Sequence, residues 1–119
     1  MKIKQVVDAL PSLQKLAGQD LSMKKLYKIS MLLGNLDKEI AFFNTQKAKL
    51  FMKYCDTVDG QYVPREETKA QLVQEFNELL DTDIECEIKE VVLGTGEDVK
   101  LSYHNLVALQ GFVRIEEDD

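Results

Sequence analysis

The sequence predicts an α+β fold that is mainly helical, in which a long central helix is packed by shorter helices and a small antiparallel sheet. Between residues 26 and 54, apolar residues recur at alternating steps of three and four, the period of a long amphipathic helix. Asp59-Gly60 stands between two short apolar arms and indicates a β-hairpin. Residues 82–93 are predicted to form a half-buried strand, because apolar and charged residues alternate over residues 84–89.

The first helix is predicted over residues 4–17, because its apolar residues fall on one side. These residues are Val6, Val7, Leu10, Leu13 and Leu16. Pro11 interrupts the pattern and lacks the N–H group that an interior turn needs. We therefore expect a short first turn, a kink and a new helical start at Pro11. Gly18 is expected at the C′ position that follows this helix.

A long helix is predicted from about residue 22 to about residue 54, with Asp20 or Ser22 as its N-cap. A heptad seam of apolar residues runs along it and is interrupted once, at Lys47. The seam consists of Leu26, Ile29, Leu33, Leu36, Ile40, Phe43, Leu50 and Tyr54. Gly34 is the weakest point of the helix, since Gly costs about 1 kcal/mol against Ala in a helix interior. Strong helix formers on both sides predict that the helix continues through it.

The length of this helix predicts an elongated molecule. At 1.5 Å per residue the helix would be about 50 Å long, whereas a compact sphere formed by a chain of this size is roughly 35 Å across. We expect the overhang around Phe42 to Met52, where the seam frays. Gly34, Ala41 and Ala48 lie beside the seam and permit the close approach of another helix. That helix could belong to the same chain or to a second copy in a dimer.

The second half of the chain begins with the hairpin, whose arms are Thr57-Val58 and residues 61–63, with Pro64 at its end. Arms this short must lean on a larger element. Residues 65–81 predict an amphipathic helix whose apolar residues are Leu72, Val73, Phe76, Leu79 and Leu80. Glu66 and Glu67 fall in its first turn, where the helix dipole favours acids.

The remaining segments are predicted to be short. Ile84, Cys86 and Ile88 are expected on one side of a strand, and Glu85, Glu87 and Lys89 on the other. Residues 94–98 are expected to turn the chain. Ser102 is predicted to cap a short helix that Gly111 ends, and residues 112–115 to return as an extended segment.

The chain is predicted to form a single domain over residues 1–119. Within it, the balance of charge differs between the first and the second part of the sequence. Residues 1–55, the predicted basic helical hairpin, hold ten Lys against four acids. Residues 56–115 contain the acidic hairpin, helix, strand and short helix, and residues 116–119 form an acidic tail; together they hold five basic residues against seventeen acids. Such a split favours docking within the chain, head-to-tail association or a charged partner. The net charge of −6 and the pI of 4.8 weigh against nucleic acid as a partner.

Composition also bears on compartment and metal binding. No window approaches the roughly 18 apolar residues of a membrane span, and the first residues lack a signal-peptide pattern. We therefore predict a cytoplasmic protein without a membrane partner. Cys55 and Cys86 are expected to be reduced core thiols. Because there is no C-x-x-C pair and His104 is the one histidine, no zinc site is expected.

Catalytic chemistry is not predicted. The sequence contains no G-x-S-x-G motif, P-loop or G-x-G-x-x-G motif. The carboxylates of Glu85, Glu87 and Glu90 fall on the predicted exposed side of the strand, which offers no pocket for acid–base work. Their expected role is to protect a sheet edge from unwanted pairing. The sequence therefore predicts a non-enzymatic protein that uses no cofactor.

Five segments carry a resemblance to a known family. They are "ALPSLQKLAGQDLSMKKLYKISMLLGNLDKEI", "KAKLFMKYCD", "DGQYV", "FNELLDTDIECEIKEV" and "LSYHNLVALQGF". In this order they resemble an uncharacterised family of small proteins encoded by phages and prophages of Gram-positive bacteria. The resemblance covers nearly all of residues 5–113 and consists of hydrophobic spacing and turn placement. It implies expression in an infected or lysogenic host, with a role in particle assembly or host interference, and it carries over no active site.

Two functions are consistent with these observations. The first is a non-enzymatic phage protein that acts through protein–protein contacts, in particle assembly or as a minor structural component. The alternative is a host-directed inhibitor or anti-defence protein whose acidic half imitates a nucleic-acid backbone. The partner is expected to be a protein, and a homodimer is the favoured self-association. The candidate interaction surface consists of Phe42, Phe51, Met52, Glu85, Glu87 and Glu90.

Overall fold

The computed structural model describes residues 1–94 and 99–116 and confirms the predicted α+β, mainly helical fold. The helices are α1 (Ile3–Ala17), α2 (Met23–Tyr54), α3 (Lys69–Leu80) and α4 (Tyr103–Ala108). The strands are β1 (Cys55–Val58), β2 (Gln61–Pro64), β3 (Val91–Gly94) and β4 (Val113–Glu116). Helix α2 is the central element, and α1, α3 and the first two strands pack directly against it.

Helix α1 is one helix that runs through Pro11, so the predicted new start at Pro11 is wrong. Its buried residues stand on both sides of the proline and are Ile3, Val6, Ala9, Ser12, Leu13 and Leu16. Each buried Val, Leu or Ile contributes about 1.5–3 kcal/mol, and together they exceed the cost of about 3 kcal/mol for an interior proline. Gly18 caps the helix with a φ of −87°, which is right-handed rather than the left-handed conformation expected of a C′ glycine.

Helix α2 is continuous and passes through Gly34, as predicted. Ser22 is its N-cap, and the Ser22 hydroxyl accepts a hydrogen bond from the Lys25 N–H at 3.4 Å. Alternate seam positions are buried, namely Ile29, Leu36 and Phe43. The seam residues between them are half-buried and pack against the largest core cluster, namely Leu26, Leu33 and Ile40. The seam therefore faces other parts of the same chain.

We expect Gly34→Ala to raise the free energy of unfolding by about 0.5–1 kcal/mol. Among the described residues, no neighbouring heavy atom lies within 4 Å of the position that a Cβ would take at Gly34. Alanine therefore fits, and it reduces the conformational freedom of the unfolded chain. Urea denaturation followed by far-ultraviolet circular dichroism measures the change.

Gly111→Ala is the matched control with the opposite sign. Gly111 has a φ of +89°, and a Cβ there would lie 3.2 Å from the Met1 Cε atom. An L-residue is strained in this conformation, so we expect a loss of about 1–2 kcal/mol. A loss of stability on Gly34→Ala as well would contradict the open helical position of residue 34.

The hairpin forms as predicted, with Asp59 and Gly60 at its tip. Their φ angles of 51° and 78° are both positive, as a type I′ turn requires. Strands β1 and β2 pair antiparallel, from Cys55 opposite Pro64 to Val58 opposite Gln61. The hairpin leans on α2, because the Tyr62 ring lies 5.7 Å from the ring of Phe51.

Helix α3 begins at Lys69, four residues later than predicted. Residues 66–68 form a turn instead, in which the Thr68 N–H donates to the Arg65 carbonyl at 3.1 Å. The Thr68 hydroxyl also donates to the Tyr54 carbonyl at 3.0 Å. These bonds tie the start of α3 to the end of α2.

The strand predicted over residues 82–93 is wrong for most of its length, because residues 84–90 lie in no helix or strand and only residues 91–93 do. The strand is β3, which follows at Val91 and pairs with β4 in parallel, from Val91 opposite Val113 to Gly94 opposite Glu116. The predicted sheet was antiparallel throughout, whereas the structure adds this parallel pair. Helix α4 lies between β3 and β4 in the chain and provides the long crossover that parallel strands need.

The last elements follow the sequence prediction closely. Ser102 caps α4, and the Ser102 hydroxyl accepts from the Asn105 N–H at 3.1 Å. Strand β4 covers the extended segment predicted near residues 112–115. The predicted turn at 94–98 lies, apart from Gly94 in β3, outside the described residues. The predicted tail at 116–119 likewise lies outside them, apart from Glu116 in β4.

The molecule is elongated, as the length of α2 predicts. Its principal dimensions are 59 × 31 × 22 Å, and its radius of gyration is 17.4 Å. The largest core cluster joins α1, the first half of α2, β3, β4 and the residues Leu109 and Phe112 that follow α4. Two smaller clusters along the second half of α2 are centred on Phe43 with Leu79 and on Tyr54 with Leu72. Among the described residues, no helix combines the length and apolar character needed to cross a membrane.

Candidate interaction surface

The structure distributes the six predicted surface residues over three places. Phe42 and Glu85 line one small pocket of about 290 Å³ between α2 and residues 82–85. Glu87 and Glu90 line a larger groove on the same side of α2 as β3. Phe51 and Met52 lie near the end of α2, and neither residue is among those that line these two pockets. The pocket linings therefore group the six residues as two pairs at different pockets and a third pair at the end of α2.

The larger groove, here called the α2 groove, lies between the first half of α2 and residues 86–92. Its volume is about 610 Å³, within the range of natural ligand and peptide sites. The wall on α2 consists of Tyr27, Lys28, Met31, Leu32 and Asn35. The opposite wall consists of Cys86, Glu87, Lys89, Glu90, Val91 and Val92.

Two exposed apolar side chains stand out on the α2 wall. Tyr27 is 66% exposed and Met31 is 50% exposed, one helical turn apart. Leu32 and Val91, which line the same groove, are buried and belong to the largest core cluster. The groove therefore joins the apolar interior to two large apolar side chains in water, an arrangement that marks interaction sites. The sequence prediction missed Tyr27 and Met31, although their spacing of four is a signal for a shared helix face.

One end of the groove is fixed by a hydrogen bond between α2 and β3. The Lys25 Nζ atom donates to the Val92 carbonyl at 2.7 Å. This bond joins the first turn of α2 to β3, so it fixes the distance between the two walls of the groove.

Charges of both signs line the groove. Glu90 is paired, because its Oε1 atom lies 3.8 Å from the Arg114 Nε atom. Glu87 forms no ion pair with any described residue. Lys28 on α2 and Lys89 beside Glu87 add two cations to the lining. A partner would therefore meet an apolar surface bordered by alternating charges.

Cys86 lines the α2 groove, yet its thiol is poorly suited to nucleophilic chemistry. Burial raises the pKa of the Cys86 thiol above its ordinary value of 9.0, and the nearby Glu39 carboxylate raises this pKa further. The thiol is therefore neutral near pH 7, and the neutral thiol is a weak nucleophile. Cys55 and Cys86 are both free thiols, and Cys55 is buried.

The far end of α2 carries an aromatic cluster rather than an open surface at Phe51. The Phe51 ring stacks on Phe76 of α3 with a centroid distance of 6.3 Å, and Phe76 meets Phe43 at 6.0 Å. The Lys47 Nζ atom lies 5.9 Å from the Phe43 ring and 5.6 Å from the Phe51 ring. Lys47, which interrupts the apolar seam, therefore places its ammonium group over two aromatic rings. Met52, by contrast, is 71% exposed.

His104 and the acidic residues form no recognisable reaction centre in the described parts of the chain. His104 is exposed in the first turn of α4 and lines a pocket of about 360 Å³ with Asp8 and Gln5. Within residues 1–94 and 99–116, no group of three or more His, Cys, Asp or Glu side chains could hold a metal ion. The α2 groove is the candidate site that the geometry favours.

Comparisons of the chain with protein-family models, with curated proteins and with solved structures give no match. The resemblance to phage and prophage proteins therefore stays a prediction. The function has to be argued from the groove and its side chains.

Proposed function

We propose that the chain is a phage- or prophage-encoded, non-enzymatic protein that acts through protein–protein contacts, in particle assembly or as a minor structural component. The observation that carries the proposal is the pair Tyr27 and Met31, large apolar side chains left in water beside an apolar groove. Aromatic residues and Met are enriched in the buried centres of protein interfaces. Covering these two side chains would remove apolar area from water at about 25 cal/mol per Å².

The shape of the molecule supports the same proposal. The longest dimension of 59 Å is nearly twice the next, 31 Å. A long, narrow protein presents more surface for contacts than a compact one of equal length. The α2 groove lies along the first half of the long helix, beside the exposed side chains of Tyr27 and Met31. These features suit a component that connects other proteins.

Affinity capture from infected or lysogenic host cells tests the proposal, with bound proteins identified by mass spectrometry. The wild-type chain is expected to retain a specific phage or host protein. The double variant Tyr27→Ser/Met31→Ser is expected to lose at least tenfold of it, which corresponds to about 1.4 kcal/mol. Both side chains are exposed, so the variant is expected to fold normally.

The matched control is Met23→Ser/Met52→Ser, which removes two exposed side chains of α2 that do not line the groove. This control is expected to capture the same protein in wild-type amounts. If both double variants capture equally, or if nothing is retained above background, the groove is not the contact surface.

The alternative, an inhibitor that imitates a nucleic-acid backbone, draws on the exposed carboxylates of Glu85 and Glu87. Other acids nearby are already paired within the chain. Lys2 lies 3.0 Å from Asp83 and 3.9 Å from Asp81. Because such pairs reduce the negative potential, we favour the first function. The alternative predicts that Glu85→Gln/Glu87→Gln abolishes binding to a basic host target, and unchanged binding would contradict it.

A further inference from the structure

We propose that residues 86–90 pair as an antiparallel strand with the same residues of a second copy of this chain, forming a homodimer along the α2 groove. The inference rests on the proposed function, because it names a second copy as one protein that this surface binds. It concerns a part of the chain where the sequence is typical of a strand and where no strand within residues 1–94 and 99–116 pairs with it.

Residues 85–89 have the side-chain pattern of a strand, yet no strand in the described part of the chain pairs with them. Side chains at even positions from 84 to 88 are half-buried, and Glu85, Glu87 and Lys89 are exposed. Among the described residues, no backbone group of residues 85–89 forms a hydrogen bond with another backbone group. Unpaired backbone groups beside a strand-like face are a template for another strand.

Both ends of this segment are anchored, so its backbone is held in place. Before it, the Ile84 N–H donates to the Met1 carbonyl at 3.0 Å. After it, the Val91 N–H donates to the Phe112 carbonyl at 2.9 Å. The chain bends at Cys86, so Cys86 is taken as the first residue of the straight strand that pairs. A fixed segment loses little conformational entropy when a second strand binds it.

The α2 groove provides room for that strand. It follows residues 86–92, the stretch that contains the unpaired backbone groups. A paired strand lies about 4.8 Å from its neighbour, on the side where the groove of about 610 Å³ is open. The same contact would cover Tyr27 and Met31 on the opposite wall.

Charge selects the register of the pairing. A two-fold axis through Ile88 places Glu87 of each copy opposite Lys89 of the other, so two pairs of opposite charge form. An axis through Glu87 or through Lys89 would instead place a like charge opposite itself. An axis between two adjacent residues of 86–89 would place an exposed side chain opposite a half-buried one at the centre of the pairing, although opposed residues share one face of a sheet. The axis through Ile88 does so only at the ends, where Cys86 meets Glu90. The axis through Ile88 is therefore the favoured one, and a second copy is the occupant with complementary charge.

Analytical ultracentrifugation of the purified full chain is expected to show a monomer–dimer equilibrium. Lys89→Glu and Glu87→Lys are each expected to raise the dimer dissociation constant by about tenfold, because like charges then face each other twice. The double variant Glu87→Lys/Lys89→Glu restores opposite charges in the same register. Its dissociation constant is expected to return to within about threefold of the wild-type value.

Lys49→Glu is the matched control for Lys89→Glu, since Lys49 is exposed on α2 and does not line the groove, and the two substitutions change the net charge by the same amount. Its dissociation constant is expected to stay at the wild-type value. Hydrogen exchange adds a readout specific to strand pairing, because the amides of residues 87–89 should exchange more slowly in the dimer. A monomeric wild type, single variants that behave like Lys49→Glu, or a double variant that stays weak would each overturn the pairing.

The failure of this inference can be told apart from the failure of the proposed function. A wild-type chain that is monomeric in the ultracentrifuge, yet captures another protein through Tyr27 and Met31, overturns the pairing and supports the proposed function. A chain that dimerises with the expected charge dependence but captures nothing from host cells supports the pairing and overturns the wider function.

Discussion

Phe112→Ala is expected to lower the free energy of unfolding by about 3–5 kcal/mol. The Phe112 side chain is 0% exposed and is one of the largest fully buried groups of the main core. Its backbone joins α4 to the parallel strands, because the Phe112 N–H donates to the Leu109 carbonyl at 2.9 Å and its carbonyl accepts from Val91. The cavity left by alanine would lie at this junction, where neighbours fixed by hydrogen bonds cannot easily move to fill it. Urea denaturation followed by circular dichroism measures the loss.

Phe42→Ala is the matched control for this prediction. Phe42 lies on α2 and is 44% exposed, so its truncation leaves no closed cavity. We expect it to cost less than about 1 kcal/mol. Domains of this size are stable by only about 5–15 kcal/mol, so Phe112→Ala should also shift the thermal midpoint markedly. Equal losses for the two variants would show that Phe112 does not sit in the main core.

The sequence predicts those elements whose signals are local. Ser22 and Ser102 are predicted caps, and both hydroxyls accept the expected backbone hydrogen bond. Asp59-Gly60 predicts a hairpin, because few residue pairs tolerate two successive positive φ angles. The seam of α2 predicts which face is buried, since a period of 3.5 to 3.6 residues repeats over eight positions.

Sequence-based prediction is wrong where contacts between distant parts of the chain determine the local structure. Pro11 stays inside α1 because apolar residues on both sides of it are buried together, and this packing is not visible in a local pattern. Residues 84–89 alternate like a strand, but the pairing with β4 begins only at Val91, so no described strand pairs with residues 85–89. The parallel pairing of β3 and β4 depends on the crossover through α4, which strand patterns alone do not specify.

The sequence predicts only part of the candidate surface, again because contacts between distant parts of the chain decide which side chains are covered. Glu87 and Glu90 were selected for their exposed charge, and both line the α2 groove. Tyr27 and Met31 were missed, because an apolar residue on a helix with several apolar stripes gives no sign of which stripe stays uncovered. Phe51 was selected as exposed, yet Phe76 and Tyr62 lie against its ring. Aromatic residues of α3 and the hairpin, far along the chain, determine that outcome.

Asn105→Ala is expected to lower the free energy of unfolding by about 2–3 kcal/mol, the second largest effect. The Asn105 side chain joins α4 to α1, because its Nδ2 atom donates to the Ser12 hydroxyl at 2.9 Å. Its Oδ1 atom accepts from the Ser102 N–H at 3.1 Å and from the Lys15 Nζ atom at 3.2 Å. Alanine would remove half of the capping box and leave the buried Ser12 hydroxyl, in a residue that is 3% exposed, without this donor.

Two variants separate the network from a general effect of removing an amide side chain. Asn77→Ala, at an exposed position of α3, is expected to change the free energy of unfolding by less than about 0.5 kcal/mol. Asn105→Asp keeps an acceptor at Oδ1 and lets the Ser12 hydroxyl donate instead, so we expect a loss of only about 1 kcal/mol. The ranking follows from how many buried or capping partners each variant leaves unsatisfied. If Asn105→Ala is as mild as Asn77→Ala in urea denaturation, the contact between Asn105 and Ser12 does not hold α4 on α1, and packing at Leu109 alone must do so.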